Sequence, residues 1–278
     1  MGMNSDSDDL GDRMKAYEAV ETARTLDPAL PIYARIDGRS FSTFTRSMRR
    51  PFDPRMAAAM ISTTKHLVKE TDARIGYTQS DEINLVWLSE KPESEPLFRG
   101  RIHKLTSILA SMAAASFQHE LRQAFQPSDA AELSAALPHF DARVFQLPSK
   151  TEAANVLLWR AMEARKNAVT SATRAIYSAK ALHGMGQDRM HAMLSAKGVD
   201  FQSYPPSFKW GTWVRRLAFD RVLTADELER IPVPHRPAPA TRVTRSEVRE
   251  IVMPEFHTIT NRIEVVFDGA EPRIPERC

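Results

Sequence analysis

The order of secondary-structure elements constrains this chain more than any single motif in it. Residues 32–37, Ile-Tyr-Ala-Arg-Ile-Asp, alternate cleanly, with Ile32, Ala34 and Ile36 on one side and Tyr33, Arg35 and Asp37 on the other, the period of a strand. Gly38 follows and permits a sharp turn. Asp53-Pro54 has the form of a helix N-cap with proline in the first turn, and Met56, Met60, Leu67 and Val68 give that helix an apolar stripe to about Glu70. Two strand-like runs, 74–78 and 83–88, are joined by the polar tip Gln79-Ser80-Asp81-Glu82, which predicts a hairpin. A second long helix is expected over 101–125 and another strand over 140–147. The order is β-α-β-β-α-β, the ferredoxin-like split unit.

That topology has a chemical consequence. In such an antiparallel sheet the first and third strands are central neighbours, so Asp37 and Asp81 meet at one edge although 44 positions separate them. Two carboxylates on adjacent strand ends form a divalent-metal site, and Mg²⁺ suits a few carboxylate oxygens completed by phosphate and water. Two such ions lower the pKa of an attacking hydroxyl and neutralise a leaving pyrophosphate. Glu82 is a candidate third acid, unless strand alternation turns it away. Around Asp37 the turn Gly38-Arg39-Ser40-Phe41 offers backbone N–H groups able to cradle a triphosphate. Arg99, Arg101 and Lys104 open the second long helix, with Arg49-Arg50 earlier. Cations at a helix start oppose the macrodipole, which points to an anionic partner.

A further helix is expected over 151–182, with Arg160, Asn167 and Arg174 seven positions apart on one basic, solvent-facing side. Residues 231–240 hold four prolines and read as an extended crossing, and 262–267 as a short terminal strand. The expected architecture is therefore α+β. A ferredoxin-like palm domain covers 1–150, added helices 151–230, and a proline-rich crossing with a terminal strand 231–278.

Composition mostly excludes. The net charge is +3, from 38 Lys and Arg against 35 Asp and Glu, so any affinity for a polyanion must come from a local basic face. No window nears the ~18 consecutive apolar residues of a membrane span. The start is acidic, with Asp6, Asp8, Asp9 and Asp12, unlike a secretion leader. The lone cysteine, Cys278, excludes an intrachain disulfide and a zinc–cysteine cluster, and a cytoplasmic location is expected. The eight histidines show no zinc-hydrolase spacing, and no Walker loop is present. Ligases and capping enzymes use Lys-x-Asp-Gly, whose lysine takes the nucleotide. Arg35 stands in that place, and a guanidinium that stays protonated is no nucleophile.

Several segments together resemble the tRNA-His guanylyltransferase family: Leu10-Gly-Asp-Arg-Met-Lys-Ala-Tyr-Glu18, Arg35–Phe41, Gly76–Glu82, Arg101–Lys104, Phe140-Asp-Ala-Arg-Val144 and Trp159-Arg160. The resemblance implies a polymerase-like palm that adds nucleotides to the 5′ end of tRNA in the 3′-to-5′ direction, after ATP or GTP activates a 5′-monophosphate. It implies that Asp37 and Asp81, with the Gly38 backbone, hold two or more Mg²⁺ ions. A second nucleotide falls to Arg50, Asp53, Ser80, Arg101 and Lys104. It also implies a homo-tetramer. The eukaryotic members carry His-Ile-Asn-Asn-Leu-Tyr-Asn after the Trp-Arg pair, of which Arg165–Ser171 keeps only Asn167. The chain thus resembles the guanylyltransferase-like branch, associated with templated repair of 5′-truncated tRNA, with non-templated addition of the extra guanosine of tRNA-His as the alternative. Arg165, Lys166, Asn167 and Lys209 are its candidate tRNA contacts. A nucleotide cyclase on the same palm, and a non-catalytic RNA-binding module, are the rival readings.

Overall fold

The computed structural model describes residues 5–89, 96–126, 128–129, 136–238 and 240–275, with 5–8 as backbone only. Cys278 lies outside them. The helices are α1 (Ser5–Thr22), α2 (Phe41–Phe44), α3 (Pro54–Thr71), α4 (Ile102–Ala124), α5 (Lys150–Arg174), α6 (Ala179–Leu182), α7 (Gln187–Ser195), α8 (Pro206–Lys209) and α9 (Ala225–Arg230). The strands are β1 (Ile32–Gly38), β2 (Ile75–Gln79), β3 (Glu82–Trp87), β4 (Phe140–Gln146), β5 (Thr212–Val222) and β6 (Arg242–Ile251). They form one sheet in the order β4-β1-β3-β2-β5-β6, antiparallel at each pairing. The first four strands are the expected split unit, with β1 and β3 central.

Local chemistry fixes the elements that carry the site. Asp53 caps α3, accepting the Arg55 N–H at 3.0 Å, and Pro54 supplies a helical φ at the first position. Ser80, at φ 56°, makes the tight turn between β2 and β3. Along β1 the register sets Asp37 opposite Glu82 on β3 and Asp141 on β4. Helices α3 and α4 cover one sheet face through a core that includes Ile36, Leu67, Leu85, Leu109 and Phe117. On the other face α5 packs Ala153, Leu157 and Ala164 against Tyr33, Tyr77 and Val86. Beyond it α5 and α7, with Phe201 and Phe208, enclose a smaller core.

Three expectations need correction. The helix begun at 150 ends at Arg174, and α6 is a separate turn capped by Ser178. Residues 262–267 are not a strand: Glu264–Asp268 is a π-helical turn. Val265, Val266 and Phe267 are all buried, which a strand with one wet face cannot achieve for three consecutive residues. The added strands are instead β5 and β6, a ribbon that extends the sheet from β2 and spans the division drawn at 230. Among the described residues, no helix is long and apolar enough to cross a membrane.

Candidate active site

The C-terminal end of β1 and the β2–β3 tip open into a cavity of about 880 Å³. Asp37, Ser80 and Asp81 line one side of it, the 45–53 loop and the start of α3 a second, and Arg160, Asn167 and Arg174 of α5 a third. The Gly38 N–H donates to the Asp81 carbonyl at 3.1 Å, tying the two acid-bearing segments together. Gly38 is a glycine for a steric reason, since an added Cβ would sit 2.3 Å from the Phe41 ring. That ring is buried against Phe44, Phe117 and Phe140, which anchors the turn after Asp37 in the core.

The electrostatics of the two acids follow from this placement. Burial, then the neighbouring carboxylates of Asp81 and Glu82, push Asp37 up from 3.8 to about 6. Burial likewise raises Asp81, against a 3.0 Å hydrogen bond donated by the Ser80 hydroxyl. Two partly buried carboxylates that repel one another, facing a cavity, suit a hard cation that takes its other ligands from phosphate and water. No group of three or more metal-ligating His, Cys, Asp or Glu forms among the described residues. Glu82 shares a sheet face with Asp37, but both its oxygens are occupied. Arg160 donates to them at 2.8 and 2.5 Å, and Asn84 donates to one at 2.9 Å.

A family model described as tRNAHis guanylyltransferase (Thg1) matches residues 11–148. A solved bacterial tRNA(His) guanylyltransferase (Thg1)-like protein, in complex with ATP, superposes with a TM-score of 0.68 and 30% identity, covering 75% of this chain and 87% of that one. The chain belongs to this family. A bacterial Thg1-like protein in complex with GTP gives a TM-score of 0.65 and 26% identity over 87% and 90% of the two chains. The tRNA(His) guanylyltransferase of Neurospora crassa is 27% identical over 217 residues, 72% of each protein. As a Thg1-family chain it is a nucleotidyltransferase.

Within the Thg1 frame the other candidate residues divide sharply. Arg50 and Ser80 line the cavity; Arg50 also donates to the Thr45 carbonyl at 3.3 Å. Asp53 lines it too, but its carboxylate is buried and consumed by Arg55, at 3.0 and 2.7 Å, and by the Arg49 N–H at 3.1 Å. Those bonds lower its pKa despite the opposing effect of burial. Arg39 is exposed, and its N–H goes to the His139 carbonyl at 2.8 Å. With the Gly38 N–H also committed, the amide cradle expected around that turn is reduced. Ser40 lines the cavity, and Phe41 is chiefly a core anchor.

Arg101 and Lys104 are exposed at the start of α4, beside Leu105, which packs with Ile32 and Trp87 around a small recess at the opposite end of the sheet. They do not join Asp37 within one chain. Lys209, expected to touch tRNA, is buried and donates to the Gln202 carbonyl at 2.6 Å. That bond spends its charge internally. Arg165 lies over the Trp210 ring at 5.0 Å and Lys166 pairs with Glu163 at 2.9 Å, both exposed outside the cavity, whereas Asn167 lines it. The spacing of Arg160, Asn167 and Arg174 located a real face: all three line the cavity, Asn167 and Arg174 are exposed at it, and Arg160 is partly buried.

A stability prediction follows from Asp37. Its folded pKa exceeds its unfolded one, so its stabilising effect is complete below about 3.8 and is lost as pH rises through about 6. A shift of this size corresponds to about 3 kcal/mol at full weight, and opening to cavity water reduces that to about 1–2 kcal/mol. Asp37→Asn should therefore raise metal-free stability by about 1–2 kcal/mol at pH 8, with little change at pH 4. Urea unfolding at both pH values measures it, and a variant less stable than the parent at pH 8 would refute the assignment.

Proposed function

We propose that this protein adds nucleotides to the 5′ end of tRNA in the 3′-to-5′ direction, as a Mg²⁺-dependent, template-directed repair enzyme. The observation that carries the reading is the juxtaposition of Asp37 and Asp81 at one wall of a cavity whose other walls present Arg49, Arg50 and Arg174. Acids without such cations suit a metal alone. Both together suit a metal-bound polyphosphate and a second phosphate-bearing chain.

In this reading Asp37 and Asp81 hold the Mg²⁺ ions. When bound, these supply charge neutralisation of the triphosphate and a lowered pKa for the attacking hydroxyl. In the first step an oxygen of the tRNA 5′-monophosphate attacks the α-phosphorus of ATP or GTP and expels pyrophosphate. In the second, the 3′-hydroxyl of the incoming nucleotide attacks the 5′-phosphorus of that activated end, forming the phosphodiester and releasing AMP or GMP. Arg50 and Arg174, on facing elements of the cavity, hold phosphates away from the two carboxylates. Asn167 supplies an amide to the same face. Related Thg1-like proteins bound to ATP and to GTP support either nucleotide for activation. A homo-tetramer belongs to the same reading, because Arg101 and Lys104 reach a cavity of this kind only from another copy.

The test supplies Mg²⁺, ATP, GTP and two 5′-monophosphorylated tRNAs, one lacking its first nucleotide and one a full-length tRNA-His without its extra guanosine. Templated repair predicts extension of the truncated tRNA, only by the nucleotide complementary to the opposite strand. Guanosine added to tRNA-His regardless of what it faces would replace the repair reading with the non-templated one. A nucleotide product formed without any RNA would favour the cyclase.

A further inference from the structure

The chain places an acid, Glu82, directly beside its two metal-type acids and then withholds it from them. The register sets Glu82 opposite Asp37 on the same face of the sheet, and its sequence neighbour is Asp81. Proximity alone would make it a third ligand. Its carboxylate is instead gripped by the Arg160 guanidinium from both Nε and Nη2, at 2.8 and 2.5 Å. The two side chains are only 15% and 13% exposed. Asn84 Nδ2 donates to the same carboxylate at 2.9 Å, and Asn84 in turn accepts from the Tyr33 hydroxyl. The Trp159 ring lies 4.7 Å from the guanidinium. A bidentate arginine–carboxylate pair fixes both angle and distance between the elements it joins. Here it joins the hairpin carrying Asp81 to α5.

What α5 gains is its place over the site. Asn167 and Arg174 follow Arg160 by two and four turns on the same helix face, and all three line the cavity. Small core residues, Ala153, Ala154 and Ala164, let α5 lie close to the sheet, with Leu157 as its large fully buried anchor there. The Glu82–Arg160 pair adds a second, polar fixing point one turn further along the helix.

We propose that Glu82 and Arg160 form a latch that registers α5, and with it Asn167 and Arg174, above the Asp37–Asp81 seat, Glu82 acting as a positioning residue and not as a metal ligand. The proposal rests on the reading of Asp37 and Asp81 given above. Its effect belongs to substrate binding, because the groups it places bind and do not react.

Four variants decide it: Glu82→Gln, Arg160→Met, Arg160→Lys and the double Glu82→Gln/Arg160→Met. Each is measured for Mn²⁺ affinity by electron paramagnetic resonance, for amide hydrogen exchange over residues 160–174, and for the steady-state kinetics of nucleotide addition. The latch predicts exchange about tenfold faster over that stretch in Glu82→Gln and in Arg160→Met, with little added in the double. Mn²⁺ affinity should stay within about twofold, and KM for the tRNA should rise about tenfold with kcat held within about threefold. Arg160→Lys, which keeps the charge and one hydrogen bond, should recover part of the loss.

Mn²⁺ binding weakened tenfold or more by Glu82→Gln and untouched by Arg160→Met would make Glu82 a metal ligand and overturn the latch. Unchanged exchange in the single variants, or losses that multiply in the double, would overturn it equally. If the parent protein adds no nucleotide to any tRNA, the proposed function fails, while exchange and Mn²⁺ binding still decide the latch.

Discussion

Replacing Asp81 with Asn is expected to lower nucleotide addition by on the order of 10³-fold while leaving the protein folded and slightly more stable at neutral pH. The reason is the division of labour at the β2–β3 tip. The hairpin's geometry comes from the Ser80 turn, the β2–β3 ladder and the Gly38 amide bonded to the Asp81 carbonyl. None of these needs the Asp81 carboxylate. That carboxylate is partly buried and burial raises its pKa, so its ionised form costs stability in the metal-free protein, and an uncharged isostere removes that cost. The same change takes away one of the two anionic groups facing the cavity. Thermal unfolding with and without Mg²⁺, beside the addition assay, measures both halves. The metal-free variant should melt at or above the parent and show no Mg²⁺-dependent increase. A folded Asp81→Asn protein with more than a tenth of parental activity would remove Asp81 from the chemistry.

The sequence made this site visible through topology more than through motifs. Asp37 and Asp81 each stand in a commonplace setting, an Asp-Gly turn and an acidic hairpin tip. Only the β-α-β-β-α-β order brings them together, and it was legible because strand alternation, the Asp53 cap and the hairpin tip are local signals. The latch was not legible in this way. Arg160 and Glu82 lie 78 positions apart, and their pairing depends on how α5 crosses the sheet, which side-chain periodicity does not encode. Periodicity does show that Arg160, Asn167 and Arg174 share a side, but not whether that side meets water or a cavity. Lys209 failed for a related reason. A lysine between aromatics reads alike whether it reaches a phosphate or a backbone carbonyl, and the Gln202 carbonyl that captures it is presented by a separate turn. Arg101 and Lys104 start α4 as expected, but α4 follows β3 and so begins at the end of the sheet away from Asp37.

Phe41→Ala should be among the most destabilising single changes, costing about 3–5 kcal/mol, the range for truncating a buried aromatic. Phe41 sits one turn of chain beyond Asp37, is 4% exposed, and meets Phe44, Phe117 and Phe140 at centroid distances of 5.1, 5.4 and 5.1 Å. Those partners come from α2, α4 and β4, so its ring joins three elements at the point where the chain leaves the metal-type acid. Gly38 depends on the same ring, because the glycine leaves the room the ring occupies. Truncation therefore opens a void and frees the turn between Asp37 and α2 together, and nucleotide affinity should fall along with stability. Phe41→Leu refills most of the volume and should cost about 1–2 kcal/mol, whereas Ser42→Ala, on the exposed neighbour, should stay within about 0.5 kcal/mol. Urea midpoints at constant m-value rank the three. If Phe41→Ala lies within 1 kcal/mol of Ser42→Ala, about the spread of ordinary surface changes, the turn holds its shape without the ring. Asp37 would then be placed by the β1 ladder alone.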